Sequence, residues 1–127
     1  MRDLLESGQQ WLASQLRQHA ARPVVYRRGA SEVTVPATIG RTLLKLSDGY
    51  GGVRMQWTDR DYLIRAADLV LGGHQTLPQR GDRIREVQGD KVYVYEVLAP
   101  SGEPEWRWSD VFRTTLRIHA KQIDASA

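Results

Sequence analysis

Three histidines are the first candidates for metal binding or acid–base chemistry in this chain. His19, His74 and His119 lie far apart in the sequence, and none has a second ligand at the spacing of a zinc motif such as H-E-x-x-H. The sequence has no cysteine, which excludes disulfides and thiolate metal sites. It also contains no serine-nucleophile, Walker or dinucleotide-binding signature. We therefore expect no catalytic residues, no cofactor and no metal.

Two carboxylates flank one arginine in Asp59-Arg60-Asp61. In a strand the two aspartates would share a face and Arg60 would lie on the other. Such a pair can do acid–base work or hold a hard cation only with a cleft and further ligands. Aspartate is common in turns, and the tripeptide lies between two predicted strands. We therefore interpret it as a charged turn.

The tripeptide Arg80-Gly81-Asp82 has the sequence that integrins recognise in extracellular ligands. Local structure explains it more simply, because Pro78 starts a turn, Gly81 supplies unusual backbone angles and Asp82 bonds nearby backbone N–H groups. Nothing else in the sequence indicates secretion. We interpret the tripeptide as a turn and keep Arg80 as a candidate interface residue.

Four tryptophans are many for a chain of 127 residues, and two of them flank an arginine in Trp106-Arg107-Trp108. In a strand both rings lie on one face and Arg107 on the other. The rings could pack in the core, anchor a protein interface or stack on nucleic-acid bases. Tyr50, in the glycine-rich loop 48–52, is a further aromatic candidate for an interface. The predicted interface residues are Trp106, Arg107, Trp108, Arg80 and Tyr50.

The elements that must position these residues begin with an amphipathic helix over residues 3–20. Its apolar side chains recur at helical spacing, and Arg22-Pro23 ends it because the residue before proline leaves the α region. The apolar side either packs on the protein's own sheet or docks on a neighbouring subunit. The residues of this side are Leu4, Leu5, Trp11, Leu12 and Leu16.

The remainder of the chain, residues 23–119, is predicted to be β-structure. Its clearest signal is the stretch 77–98, in which Gly89-Asp90 separates two runs of strand-forming residues, as in a tight hairpin. Short strands at regular intervals predict an antiparallel barrel or sandwich of six to eight strands. Pro36 lacks an N–H, so we expect a sheet edge or a bulge there. Residues 120–127 are predicted to be a frayed tail.

Length and composition predict a single α+β domain, mainly β, spanning residues 1–127. The hydrophobic content of 41% and charged content of 26% are ordinary for a globular protein. No apolar run is long enough to cross a bilayer, and the first residues lack the apolar segment of a signal peptide, so we expect synthesis in the cytoplasm. The net charge is +3, but the 18 basic residues are scattered among 15 acids. A small nucleic-acid-binding β-barrel is therefore the alternative rather than the leading function.

Residues 24–98 resemble the head–tail joining proteins of tailed bacteriophages and prophages, the head-completion or neck-connector type. The resemblance lies in a Pro-x-x-Gly-Asp turn that leads into a hairpin ending in Tyr-Glu-Val, preceded by two shorter motifs. The stretches that carry it are Arg60-Asp61-Tyr62-Leu63-Ile64, Ala67-Asp68-Leu69, Pro78-Gln79-Arg80-Gly81-Asp82-Arg83-Ile84 and Tyr95-Glu96-Val97.

The resemblance implies a non-enzymatic structural protein of the virion, made in the bacterial host cytoplasm. Such a protein forms a ring at the neck between the capsid portal and the tail, and it binds other phage structural proteins there. The isolated chain would be monomeric until its partner is present. The family's contacts lie in loops and terminal segments, and it has no catalytic residues to transfer. DNA contact is the disfavoured alternative.

Overall fold

The computed structural model describes residues 21–47 and 49–126, and β-strands dominate this part of the chain. The helical elements within these residues are two short 3-10 helices, Ala66–Asp68 and Pro100–Gly102. The strands are β1 Arg22–Arg28, β2 Ser31–Gly40, β3 Leu43–Ser47, β4 Val53–Trp57, β5 Arg60–Arg65, β6 Val70–Leu71, β7 His74–Gln75, β8 Arg83–Gln88, β9 Lys91–Val97, β10 Trp106–Trp108 and β11 Thr115–Ser126.

Six of these strands close into an antiparallel barrel. Their order around the barrel is β1-β2-β5-β11-β9-β8, and β8 pairs with β1 to complete the circle. Closure leaves none of the six with an unpaired edge along its whole length. The prediction of a mainly β fold with an antiparallel barrel is thus confirmed, and the sandwich is not the architecture formed.

Strand β11 connects two parts of the barrel wall. Its first half pairs with β5, and its second half, from Ala120 to Ser126, pairs with β9 across an irregularity between Gln122 and Asp124. The prediction of a frayed tail from residue 120 is therefore wrong for residues 120–126. Residues 121–125 are all exposed, so no alternating burial marks this part of the strand, and its backbone bonds run to the distant strand β9.

The predicted N-terminal helix, residues 3–20, lies outside the described residues. The fold that the structure describes is therefore the β part of the predicted α+β domain.

The barrel interior is filled by side chains that alternate along each strand, as a closed sheet requires. The rings of Tyr62 and Tyr95 meet edge to face, with centroids 5.7 Å apart. Aliphatic side chains from every wall strand surround them and are almost fully buried. They include Val24, Val35, Ile64, Ile84, Val97, Leu116 and Ile118.

The hairpin predicted from Gly89-Asp90 is confirmed, with β8 and β9 paired from Arg83↔Glu96 to Gln88↔Lys91. Gly89 has a φ of 65°, the left-handed conformation that the tight turn requires. Pro36 lies within β2 opposite Pro23 of β1, and the pairing of β2 with β5 starts only at Thr38. Pro36 thus lies where β5 does not yet pair with β2, which is consistent with its missing N–H.

A long hairpin projects from the barrel between β2 and β5, and we call it the arm. It consists of β3 and β4, paired from Leu43↔Trp57 to Ser47↔Val53. The barrel strands on either side of it pair with each other directly, with Gly40 opposite Asp61. The arm is therefore an extension of the β2–β5 ribbon beyond the barrel wall.

Candidate interface at the arm and the edge strand

One face of the arm is exposed and largely apolar. Because side chains alternate along a strand, the cross-strand pairs Leu43–Trp57, Lys45–Met55 and Ser47–Val53 lie on the same face. Within this set the exposed fractions are 57% for Val53, 57% for Met55, 50% for Trp57 and 42% for Leu43. We call these four side chains the arm face.

The opposite face of the arm is buried. Leu44 and Leu46 are 8% and 2% exposed, and Arg54 donates a hydrogen bond to Ser101 Oγ at 3.2 Å. The arm thus rests on its inner face and presents the arm face to solvent. Contiguous exposed apolar side chains of this kind are typical of interaction surfaces.

A buried aspartate fixes the base of the arm. Tyr62 and Ile64 point into the barrel core, so Asp61 lies on the outer side of β5, yet it is fully buried there. Arg117 Nη1 donates to Asp61 Oδ2 at 2.8 Å, and Thr58 Oγ1 donates to Oδ1 at 2.8 Å. The Thr42 hydroxyl also donates to Asp61, and His119 Nδ1 lies 2.8 Å from Oδ1.

This Asp61 cluster connects the two ends of the arm to the barrel strand β11. Thr42 and Thr58 lie at the two ends of the arm, and Thr58 N–H donates to Thr42 O at 2.8 Å. Arg117 and His119 belong to β11. The arm therefore leaves the barrel in a direction set by a shared buried carboxylate.

The hydrogen bonds at Asp61 keep its carboxyl ionised. Burial alone would raise the pKa, but the contacts with His119 and the neighbouring hydroxyl and guanidinium groups outweigh burial and hold the pKa of Asp61 far below its usual range. An ionised carboxylate only accepts hydrogen bonds, so His119 Nδ1 carries the hydrogen in this contact. Asp61 thus has a structural role as an acceptor within β5, and the prediction of a charged turn is wrong for it.

Glu86, on the inner side of β8, is a second buried carboxylate with several partners. It accepts from Tyr62 OH at 2.8 Å and from Arg22 Nη1 at 3.2 Å. Arg60 Nη2 lies 3.6 Å away, and the Arg60 guanidinium also sits 5.1 Å from the centroid of the Tyr95 ring. Burial, followed by the bond to Glu86, raises the pKa of Tyr62. Both Arg60 and Glu86 therefore stabilise the barrel.

The hydrogen bonds of Asp82 give the Arg80-Gly81-Asp82 tripeptide a structural role. Arg28 Nε donates to its Oδ1 at 2.9 Å, Arg28 Nη2 donates to Oδ2 at 2.8 Å, and the backbone N–H of Gln79 donates to Oδ2 at 2.9 Å. The Tyr26 hydroxyl is a further donor, and burial raises its pKa. The tripeptide forms the turn before β8 that the sequence predicted, with Arg80 exposed on it.

The Trp106-Arg107-Trp108 segment forms β10, an extra strand that pairs only with β11 among the described strands. The alternation predicted for it is confirmed, because the tryptophans are half-buried against the core and Arg107 is exposed. The two indole rings meet edge to face at a centroid distance of 5.4 Å. Packing against the core therefore buries part of each indole ring.

The other interface candidates lie in different places. Tyr50 is at the tip of the arm and is 96% exposed, whereas Arg80 belongs to the turn before β8. The structure thus places Tyr50 in the loop at the tip of the arm and Trp106–Trp108 on the edge strand. The arm face itself was missed in the sequence, although its alternating apolar residues were visible there.

Within residues 21–47 and 49–126 no group of three or more histidine, aspartate or glutamate side chains is arranged to hold a metal ion. No helix in the same residues is long and apolar enough to cross a membrane. The titratable groups brought together at Asp61, Asp82 and Glu86 are hydrogen-bonded to one another and to the backbone. This arrangement supports the barrel and the arm.

A small closed barrel that exposes an apolar face has a surface of the kind found at protein–protein contacts. The sequence matches the family described as phage head-tail joining protein over residues 2–127, so the chain belongs to the phage head–tail joining family. No curated protein matches the sequence. The family is one of structural proteins of the phage neck rather than of enzymes, and its members interact with other head and tail proteins in the virion.

Proposed function

We propose that this chain joins the phage head to the tail by assembling into a ring at the neck, without catalysing a reaction. Family membership supports the position in the virion. The arm supports the ring, because one of its faces is buried while the other offers each copy an exposed apolar surface. Synthesis in the bacterial host cytoplasm before assembly belongs to the same proposal.

The observation that carries the proposal is the arm face. Each arm strand has five residues, which corresponds to a length of roughly 16 Å. A projection of this length can reach a neighbouring copy in a closed ring, where one surface patch contacts a different patch on the next copy. Trp57, Met55, Val53 and Leu43 would then leave water on assembly, which favours association in proportion to the apolar area buried.

A ring formed in this way need not exist in the isolated protein. The arm face is narrow, and the association of separate copies has a large entropic cost. A partner that positions several copies at once reduces that cost by raising their effective concentration. We therefore propose a monomer that forms the ring on a portal or tail surface.

A matched pair of valine substitutions tests the arm. Val53 on the arm and Val87 on β8 are 57% and 61% exposed, and each lies in a β-strand. We expect Val53→Asp to abolish the joining of separately purified heads and tails, because it introduces a charge into the apolar contact. Val87→Asp should retain joining. Negative-stain microscopy of the neck would show whether a ring is present.

Thermal melting of both variants serves as the folding control. If Val53→Asp melts like the wild type and still joins heads to tails as well as Val87→Asp does, the arm is not the ring contact. If the wild-type chain joins heads to tails as single copies, the ring itself is wrong.

A further inference from the structure

A cleft with three arginines lies beside the base of the arm, and we call it the basic cleft. Its volume of about 500 Å³ is within the range of known ligand sites, and it opens to solvent. The arm contributes Leu43, from the lower end of the arm face, and β10 contributes Trp108. The residues that line the cleft include Arg41, Leu43, Arg107, Trp108, Ser109 and Arg117.

Strand pairing brings the three arginines together on the outer side of the barrel. Arg107 of β10 and Arg117 of β11 are directly opposite each other, so their side chains share one face. Arg117 also reaches the arm base, where its Nη1 donates to Arg41 O at 3.5 Å. Arg41 itself follows β2 and precedes the arm. The cleft therefore has the arm base on one side and the β10–β11 pair on the other.

The positive charges of the basic cleft are only partly balanced. Asp61 lies 2.8 Å from Arg117 Nη1 and balances one of them. Arg41 Nε donates to the uncharged carbonyl oxygen of Thr58 at 3.0 Å. Arg107 takes part in none of the ion pairs among the described residues. Like charges directly opposite each other in a sheet repel, so the Arg107–Arg117 pair destabilises the isolated chain, and a bound anion would relieve the repulsion.

We propose that the basic cleft binds a carboxylate from an acidic loop of another head or tail protein. The carboxylate lies between Arg107 and Arg41, and a guanidinium can donate two parallel hydrogen bonds to it. Leu43 and Trp108 provide an apolar wall for the carbon atoms of the same side chain. The choice of partner rests on the proposed function, whereas the carboxylate site rests on the cleft alone. Binding at this site does not require the ring.

The charges elsewhere on the barrel favour a different protein over a second copy as the source of the carboxylate. Glu32 of β2 lies opposite Arg27 of β1, and Glu96 of β9 lies opposite Arg83 of β8. Each of these glutamates is already next to a positive charge of its own chain. Arginines confined to one cleft also suit a single carboxylate better than a DNA backbone, which is bound by cations spread along a surface. DNA is therefore an alternative outcome of the test.

The probe is a capped hexapeptide of alternating glycine and glutamate, titrated into the full-length protein at low ionic strength. The NMR signals of the arginine Nε–H groups report binding, and a peptide with lysine in place of glutamate is the charge control. We expect saturable shifts at Arg107 and Arg41 but none at Arg85, an exposed arginine of β8. Arg107→Glu should weaken binding about tenfold or more, because a charge-assisted contact is lost. Arg85→Glu makes the same change in net charge and should leave binding unchanged.

Thermal melting of the isolated protein distinguishes a binding role of Arg107 from a structural one. Arg107→Glu places a carboxylate opposite Arg117, so attraction replaces repulsion. The melting temperature should therefore equal or exceed that of the wild type, while binding of the acidic peptide falls. A clear loss of stability in Arg107→Glu would assign the side chain to the fold and overturn the proposal.

Head–tail joining keeps this proposal separate from the ring, and we expect Arg107→Glu to reduce it. If Arg107→Glu joins heads to tails as well as Arg85→Glu does, the inferred partner contact is wrong and the ring proposal stands. If the wild type joins them as single copies, the ring is wrong and the carboxylate site stands. No shift at Arg107 with millimolar acidic peptide, or equal binding of the lysine peptide, would overturn the site itself. So would Arg107-dependent binding of a short DNA duplex in place of the peptide.

Discussion

The barrel and the arm both consist of antiparallel strands, but they differ in how far their apolar side chains are buried. In the barrel wall the strand edges are paired, and the buried carboxylates of Asp61, Asp82 and Glu86 each have several donors. In the arm one face packs inward, while the other leaves Trp57 and Met55 half exposed or more. The barrel therefore buries most of the apolar surface, and the arm leaves apolar surface exposed, which we propose a partner covers.

The same residue type illustrates the difference. Leu116 of β11 is fully buried in the barrel core, whereas Leu43 of β3 is 42% exposed on the arm face. The first contributes to folding and the second is available for association. If this division is correct, substitutions in the two regions should separate stability from assembly.

The largest loss of stability is expected for Asp61→Ala. Removing the carboxylate leaves the Arg117 guanidinium and the Thr42 and Thr58 hydroxyls without their buried acceptor, which should lower the free energy of unfolding by about 3–5 kcal/mol. Urea denaturation provides the measurement. Asp59→Ala, at an exposed neighbour, should stay within about 0.5 kcal/mol of wild type. Equal effects at the two aspartates would contradict the structural role of the Asp61 cluster.

Leu116→Ala compares the two leucines directly. The cavity left in the core should lower the free energy of unfolding by about 2–5 kcal/mol. Leu43→Ala should have a much smaller effect, because much of that side chain is already in water. Chemical denaturation of both variants under the same conditions checks this prediction. A Leu43→Ala variant as unstable as Leu116→Ala would show that the arm belongs to the core.

Acid should weaken the same cluster to a smaller extent than the alanine substitution. The pKa of Asp61 is depressed in the folded state, so the unfolded chain binds more protons between that value and the ordinary aspartate value of about 3.9. The stabilisation is therefore present above about pH 4 and is lost as the pH falls through the folded pKa. Unfolding curves at several acidic pH values should show a shallower pH dependence for Asp61→Asn than for wild type. If stability depends on pH equally in Asp61→Asn and in the wild type, Asp61 is not the source of the acid sensitivity.

The smallest effect on stability is expected for Met55→Ala on the arm face. More than half of this side chain is exposed, so the free energy of unfolding should change by less than about 0.5 kcal/mol. Head–tail joining should nevertheless fall, because the substitution removes apolar surface from the proposed contact. Thermal melting and a joining assay on the same preparation measure both quantities. A large drop in melting temperature would show that Met55 stabilises the monomer.

The local elements of the fold were predictable from the sequence. Alternating residues and Gly89-Asp90 indicated β8 and β9, which the structure contains. These features depend on side-chain alternation and turn residues within a short window. The resemblance to head–tail joining proteins in residues 24–98 is confirmed, since the family match covers residues 2–127.

The long-range features were not predictable in the same way. Asp61 resembled a turn residue because its partners at Thr42, Arg117 and His119 are distant in sequence. The end of β11 resembled a tail because its backbone bonds run to β9. Both depend on which strands become neighbours when the barrel closes, and a single sequence carries little direct information on that arrangement.

The position of the arm has a consequence for how neck proteins of this type can diversify. Gly40 and Asp61 pair directly across β2 and β5, so the barrel wall is continuous below the arm. The arm is therefore an insertion that the wall does not need for its own pairing. Its length and outer face can be exchanged for those of another hairpin while the wall stays intact, provided that the threonines at its base and the buried Leu44 and Leu46 are kept. Grafting arms between barrels would then transfer partner choice without redesigning the scaffold.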